Sequence, residues 1–353
     1  MIATESLLEF TLPLELEATE PPEERGQGRD DVRLLVSHRA GEKIEHHRFN
    51  DLPALLRAGD LLVFNRSATV NAALDSTADS QPAVLHVARR LKDAEWIVEL
   101  RHADADGLRT TPWLDARAGT EIALRGGGRA KLLLPAIDPD ADAVRLWVAE
   151  VTLDLPADEY MKRWGRPIVY GHITKSWPLS AYQTVFSDVP GSAEMPSAAR
   201  PFTTDLVTRL LVKGVDLAPI VLHCGLSSLE AHEPPQPEHF EVSPDTAQRV
   251  NAAIRVGGRV IAVGTTCVRA LESSAVGTGL VLPSSGLTNL VVDVAYTPRV
   301  TTGLLTGWHE PMASHLAMVE AFAGSKLLEA SYRAALDAGY LWHEFGDSHL
   351  ILP

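Results

Sequence analysis

The sequence predicts an α/β protein whose mostly parallel sheet body is interrupted by a small all-β barrel. Two observations carry that expectation. Past Thr203, short runs of Val and Ile alternate with stretches bearing helix caps, the rhythm of a parallel sheet covered on both faces. Between about Ala83 and Val151 the helical stretches vanish, and brief alternating segments follow one another as strands. A chain of 353 residues, 45% hydrophobic and 22% charged, is long enough for both units. We place the body at residues 1–72 and 155–353 and the inserted barrel at 73–154.

Taken in order, residues 17–31 are charged and rich in Pro and Gly, so a mobile loop is expected there. Residues 52–57 look helical, Gly59 and Asp60 form a turn, and Leu61-Leu62-Val63-Phe64 reads as a buried strand closed by Asn65. In the strand-rich interval the expected strands are 84–87, 96–100, 122–124, 131–134 and 144–148. Gly126-Gly127-Gly128 joins two of them as a hairpin turn and not as a phosphate loop, because it does not open a helix. Thr203 or Thr204 caps a helix that Gly214 ends before a strand at 215–223. Ser243 and Pro244 start another, which Gly257 and Gly258 end before Val260-Ile261-Ala262-Val263. Helices near 314–322 and 326–338 precede a closing strand at 349–352.

The formal charge of −14 argues against a surface coated with phosphate-binding residues, so an RNA ligand would need a local basic patch. Candidates are Arg89, Arg90 and Lys92; Arg125, Arg129 and Lys131; and Lys162, Arg163 and Arg166 around Trp164. Scattered solvated charge is the plainer account of each. No apolar run has the length of a membrane span, and residues 1–10 lack the pattern of a signal peptide. Cys224 and Cys267 make no disulfide framework, which fits a reducing cytoplasm. A monomer or weak dimer is expected.

In open α/β sheets, ligands bind beyond the carboxyl ends of the strands, where a following helix offers free N–H groups. The stretch from Arg259 to Glu272 meets this description: a buried strand ends in Gly264-Thr265-Thr266 and a helix begins. Gly264 lets the backbone approach a ligand, the threonines offer hydroxyls, and Arg269 can pair with a carboxylate or phosphate. The competing account is a helix capped by Thr266 in which Arg269 pairs with Glu272. A second group, His223, His232, Glu233, Glu238, His239 and Glu241, with His309, Glu310 and His315 further on, invites a metal reading. No H-E-x-x-H or Cys/His spacing supports it and three prolines interrupt it, so acid–base roles are favoured and no metal is expected.

At these residues the sequence resembles the S-adenosylmethionine:tRNA ribosyltransferase-isomerases of queuosine biosynthesis. The segments that carry the likeness are GGRVIAVGTTCVRALES, GDLLVFN, YQTVF, PGSAEMPSA, VLHCGL, AFAG and GDSHLI, in the family's order. The resemblance implies an α/β body with an inserted barrel. It also implies transfer and isomerisation of the ribosyl part of S-adenosylmethionine onto a deazaguanine base in tRNA, giving epoxyqueuosine and releasing adenine and methionine. A base would remove the proton beside the sulfonium, whose charge stabilises the carbanion. Gly264, Thr265, Thr266, Arg269 and Glu272 are then expected to bind the cosubstrate, with His309, Glu238, His223 and Asp347 as candidate catalytic groups.

The chain departs from the family within these motifs. Ala68 and Ala73 stand at its two arginine positions, Asn71 at a proline, Pro201 at a histidine, and Gly307 and Met312 at an asparagine and a lysine. Its Gly-Leu-Gly-Thr-Phe reads Gly225-Leu226-Ser227-Ser228-Leu229, and only Glu238 remains of Met-His-x-Glu. Lost cations weaken the expectation for tRNA more than that for the fold. Two other readings therefore stay open: an S-adenosylmethionine- or nucleoside-dependent enzyme acting on a small molecule, and an inactive binding homologue.

Overall fold

The computed structural model describes residues 8–92, 94–104, 107–137, 143–227, 235–311 and 313–353. One sheet of nine strands runs in the spatial order Ser284–Thr288, Glu238–Val242, Asp216–Leu222, Leu61–Asn65, Val260–Val263, Gly303–Gly307, Ser348–Leu352, Arg33–His38, Lys43–Arg48. The strands from Asp216–Leu222 to Gly303–Gly307 are parallel neighbours, as are Ser348–Leu352 and Arg33–His38. The remaining pairings are antiparallel, so the sheet is mixed with a parallel centre.

Continuous apolar strands follow from burial on both faces. Leu61, Val63, Val260, Ala262, Leu304 and Ile351 point into one core, packed by the helices Pro244–Arg255, Thr265–Ser273, Ser314–Ala323 and Ser325–Asp337. Their neighbours Leu62, Ile261, Val263, Leu305, Leu350 and Leu352 point into the other, beneath Leu52–Leu55 and Thr204–Lys213. Helix starts obey the expected caps: Thr203 Oγ1 accepts from the Leu206 N–H at 3.2 Å, and Ser243 Oγ from that of Thr246 at 3.2 Å.

The strands Ala73–Ala78, Gln81–Arg90, Glu95–Ala103, Leu146–Thr152, Arg129–Pro135 and Glu121–Leu124 pair in that circular order and close a barrel. Leu74, Leu85, Val98, Leu100, Leu132 and Trp147 fill its interior. The glycine run turns the hairpin between Glu121–Leu124 and Arg129–Pro135, as expected. The first barrel strand escaped the sequence pattern because Asp75, Ser76 and Thr77 break its apolar alternation. Pairing on both edges recruits it. Trp164 is no free stacking platform: it packs on Gly126, where a Cβ would meet its indole nitrogen at 2.5 Å, with Arg125 and Arg163 against the ring.

Residues 17–31 are tied down where a mobile loop was expected. Glu17 bridges Trp342, Arg25 donates to the Phe345 carbonyl at 3.0 Å, and Glu23 accepts from the buried Arg200 at 3.1 Å. Charges that look solvated in sequence are tertiary partners.

Beneath the sheet, the fully buried Asp60 accepts from Arg259 Nε at 2.9 Å and from the Arg57 N–H at 2.8 Å, joining two of the parallel strands. Burial alone would raise its carboxyl, but the Arg259 hydrogen bond, the Arg57 N–H and both guanidinium charges override it and hold the group below its ordinary value. Its stabilising contribution is therefore present above the unfolded carboxylate range and is lost as pH falls through the lower folded value. Asp60→Ala, measured by urea unfolding at pH 7, is expected to cost about 3–5 kcal/mol, because it strands Arg259 in a mostly buried position.

Candidate functional site

Four parallel strands bring their carboxyl ends to one edge, and the segments leaving them are Asn65 to Ser67, His223 to Ser227, Gly264 to Thr266 and Gly307 to Glu310. A cleft of about 1740 Å³ opens above this edge. Residues 224–227 and the last two of those segments line it, with Ala193 to Ala198 and Pro167, Ile168, Tyr170, Gly171 and His172. Its volume exceeds the roughly 300–1,000 Å³ of an ordinary small-molecule pocket. There is room for two reactants.

Gly264 makes the turn into the helix Thr265–Ser273 with φ of 93°, a left-handed conformation that disfavours a side chain, and an added Cβ would crowd Ala198 at 3.3 Å. No side chain caps this helix, so Thr266 is not its cap. The N–H groups of Thr265 and Thr266 open the first turn, where a helix offers them no carbonyl, and both residues line the cleft.

Arg269 reaches the cleft but is not a free guanidinium. It is bonded to the Glu238 carboxylate and donates to the carbonyls of Leu290 at 3.0 Å, Gln236 at 3.0 Å and Thr288 at 3.1 Å. Four of its five N–H donors are thus taken by protein, so it holds the cleft wall together before any ligand arrives. Glu238 also accepts from the Gly225 N–H at 2.9 Å, and burial raises its carboxyl despite Arg269. The pair ties three stretches of cleft wall together.

Glu272 lies outside the cleft and makes no pair with Arg269. Fully buried, it accepts from Arg299, Val300 and Thr301 N–H groups at 2.9, 3.0 and 3.0 Å and from the Thr301 hydroxyl at 2.7 Å, so it pins the loop before Gly303–Gly307. Asp347 is likewise away from the cleft. It accepts from the Arg33 backbone N–H at 2.7 Å and from the Leu341 N–H at 2.8 Å. His223 points beside the cleft, its Nδ1 2.7 Å from Ser67 Oγ, over Gly191, where a Cβ would strike the ring at 2.5 Å.

His309 does line the cleft. Its Nε2 is 2.9 Å from Thr306 Oγ1 and its ring stacks on His315 with centroids 5.1 Å apart. Burial, then the neighbouring His315, His349 and His343, holds the His309 imidazole well below its ordinary value, and burial with Arg269 pushes His315 down to about 4. Both rings are therefore neutral at pH 7, and the same burial makes each a weaker base than a free imidazole. His232, Glu233 and Met312 lie outside the described residues.

Two groups escaped the sequence reading. Glu194 accepts from Tyr170, from the Ser227 N–H at 3.0 Å and from the Ser227 hydroxyl at 2.5 Å, and burial raises its carboxyl. Its position inside PGSAEMPSA was the one available signal. His172, His343 and Glu344 meet only through tertiary packing, and no spacing announces them. Among the described lining residues there are six carboxylates, Glu17, Glu194, Glu238, Asp293, Glu310 and Glu344, against the single guanidinium of Arg269.

Comparison with known proteins agrees with this architecture. Residues 5–351 match the family described as queuosine biosynthesis protein. The S-adenosylmethionine:tRNA ribosyltransferase-isomerase of Symbiobacterium thermophilum is 33% identical over 98% of both chains. That of a Methylobacterium strain is 34% identical over 98% of this chain and 97% of its own. The chain belongs to the queuosine biosynthesis protein family. The S-adenosylmethionine tRNA ribosyltransferase of Thermotoga maritima superimposes with a TM-score of 0.53 at 27% identity, covering 97% of this chain and 99% of that one. In this family member, the segments 190–198, 221–226 and 259–272 surround one cleft although they are far apart in sequence.

Arg269→Ala should lower stability by about 3–5 kcal/mol in urea unfolding, since it leaves Glu238 and three carbonyls without their donor. An unchanged unfolding midpoint would contradict this account of the residue.

Proposed function

We infer that the chain is an S-adenosylmethionine:tRNA ribosyltransferase-isomerase that moves the ribosyl part of S-adenosylmethionine onto a deazaguanine base of tRNA, forming epoxyqueuosine. The observation that carries the reading is full-length family membership combined with a large, carboxylate-rich cleft at the strand ends. A carboxylate-lined cavity attracts a sulfonium. Its size suits a cosubstrate together with a base extruded from an RNA loop, as chemistry on a stacked base requires.

Within this reading the Gly264-Thr265-Thr266 turn takes the carboxylate of the methionine part on its free N–H groups. His309, neutral and at the cleft wall, is the base that removes the proton beside the sulfonium. Arg269 and Glu238 hold the wall, while Glu272, Asp347 and His223 support the strands and loops behind it. No helix among the described residues is long and apolar enough to cross a membrane, and the partners proposed are S-adenosylmethionine and tRNA.

The deciding experiment incubates the protein with S-adenosylmethionine and tRNA bearing the aminomethyl-deazaguanine. Adenine and methionine release with a matching mass gain of the tRNA is expected. Release without tRNA modification would move the function to another acceptor, and no release would remove it. With Ala68 and Ala73 in place of arginines, tRNA affinity should also depend weakly on salt, with a log–log slope shallower than about −5. A steeper slope would reveal phosphate contacts elsewhere.

A further inference from the structure

One part of the cleft is unused by the reaction scheme above. Where the N-terminal segment passes beside residues 341–344, the rings of His172 and His343 stack at 3.9 Å and 10°. His172 Nε2 lies 2.9 Å from Glu344. Burial would lower the His172 imidazole, but Glu344 raises it, and Glu344 is held low in return, so these two charges satisfy each other.

His343 is different. Its side chain is 9% exposed, and its Nε2 is buried without a hydrogen-bond partner. Glu17 stands 3.6 Å from Nε2 and Glu310 stands 3.6 Å from Nδ1, both too far for a hydrogen bond. His343 also holds a left-handed backbone with φ of 71°, a conformation costly for a residue with a side chain. All five side chains line the cleft. Burial, then His172, pushes the His343 imidazole down to about 4, so it is a neutral acceptor and not a competing cation. Desolvation within the cleft, more than the nearby Glu17 and Glu344, raises the carboxyl of the half-exposed Glu310, although His172 opposes it.

An unsatisfied imidazole lone pair between two uncommitted carboxylates calls for a ligand that is positively charged and also carries N–H donors. A sulfonium has the charge but no donor, and the α-ammonium of S-adenosylmethionine, which has both, sits on the carbon next to the carboxylate that the reading above seats on the Gly264 turn. We propose that Glu17, Glu310 and His343 form the subsite for a primary ammonium group of the acceptor, with His172 and Glu344 positioning the His343 ring. The inference rests on reading this cleft as the place of ribosyl transfer. It assigns the acceptor end of the cleft to this wall and the cosubstrate end to the Gly264 turn.

Benzylamine and benzyltrimethylammonium share a ring and a charge, but only benzylamine donates hydrogen bonds. Titrated into the full chain and followed by ligand-observed NMR, benzylamine is expected to bind about tenfold more tightly. Glu310→Gln, on a half-exposed side chain, and His343→Asn, which tolerates the left-handed backbone, should each weaken benzylamine about fivefold and leave S-adenosylmethionine affinity within about twofold. Equal affinity for the two probes, no benzylamine binding by the folded protein, or variants that bind as the parent does would overturn the subsite. Adenine release with tRNA is scored separately. Loss of that activity with amine binding intact refutes the transfer reading alone, and the converse refutes the subsite alone.

Discussion

The buried amide of Asn65 is the bond on which the cleft depends. Its Nδ2 donates to the Leu222 carbonyl at 2.7 Å, and its Oδ1 accepts from the Leu222 and Ser67 N–H groups at 3.1 and 3.0 Å. The same Nδ2 lies 3.4 Å from Thr266 Oγ1. Parallel strands diverge once their ladder ends, and their last backbone groups are then left to find partners. Here one side chain supplies them. It fixes where the chain leaves two strands and reaches toward the helix that leaves the third.

From that anchor the walls are built by charges that face protein, not solvent. Arg269 and Glu238 lock the strand Glu238–Val242 to the helix Thr265–Ser273 and to the carbonyls of 288 and 290. Glu272, three residues later on that helix, fastens the loop at 299–301 on the other side. The cleft thus keeps its shape through buried, fully bonded ions, each costly to disturb singly. Among the described residues, what remains unbonded inside it is the carboxylates of Glu17 and Glu310 and the neutral imidazole of His343, which accept, and the N–H groups at the start of the helix Thr265–Ser273, which donate.

The barrel meets the body through Ala72, Ala73, Val84, Ile97, Ile168 and Leu226, an apolar seam continued by Arg145, which bonds Glu99 at 3.1 Å and the Ser227 carbonyl at 3.2 Å. Ser227 in turn holds Glu194 in the cleft. The inserted unit is therefore joined to the cleft by one short chain of contacts, through which its placement bears on the cleft wall.

The sequence by itself determined the fold class and the most regular elements, but not the sheet strands Arg33–His38, Lys43–Arg48, Glu238–Val242, Ser284–Thr288 and Gly303–Gly307, whose apolar runs are short or broken by polar residues. Caps at Thr203 and Ser243, apolar strands buried on both faces, and the loss of helices across the barrel interval are local or periodic signals, and they read correctly. It also located the Gly264 turn, because a strand, a glycine and a helix start are contiguous there. Tertiary structure decided the partners. Arg269 and Glu272 sit one turn apart yet bond to residues 19 to 33 positions distant, so their spacing pointed to a pair that does not form. The charged stretch at 17–31 looked solvated because the buried Arg200 that receives it is far along the chain. His172, His343 and Glu17 come together only when three remote segments pack, and proximity of that kind leaves no periodicity for a sequence to display.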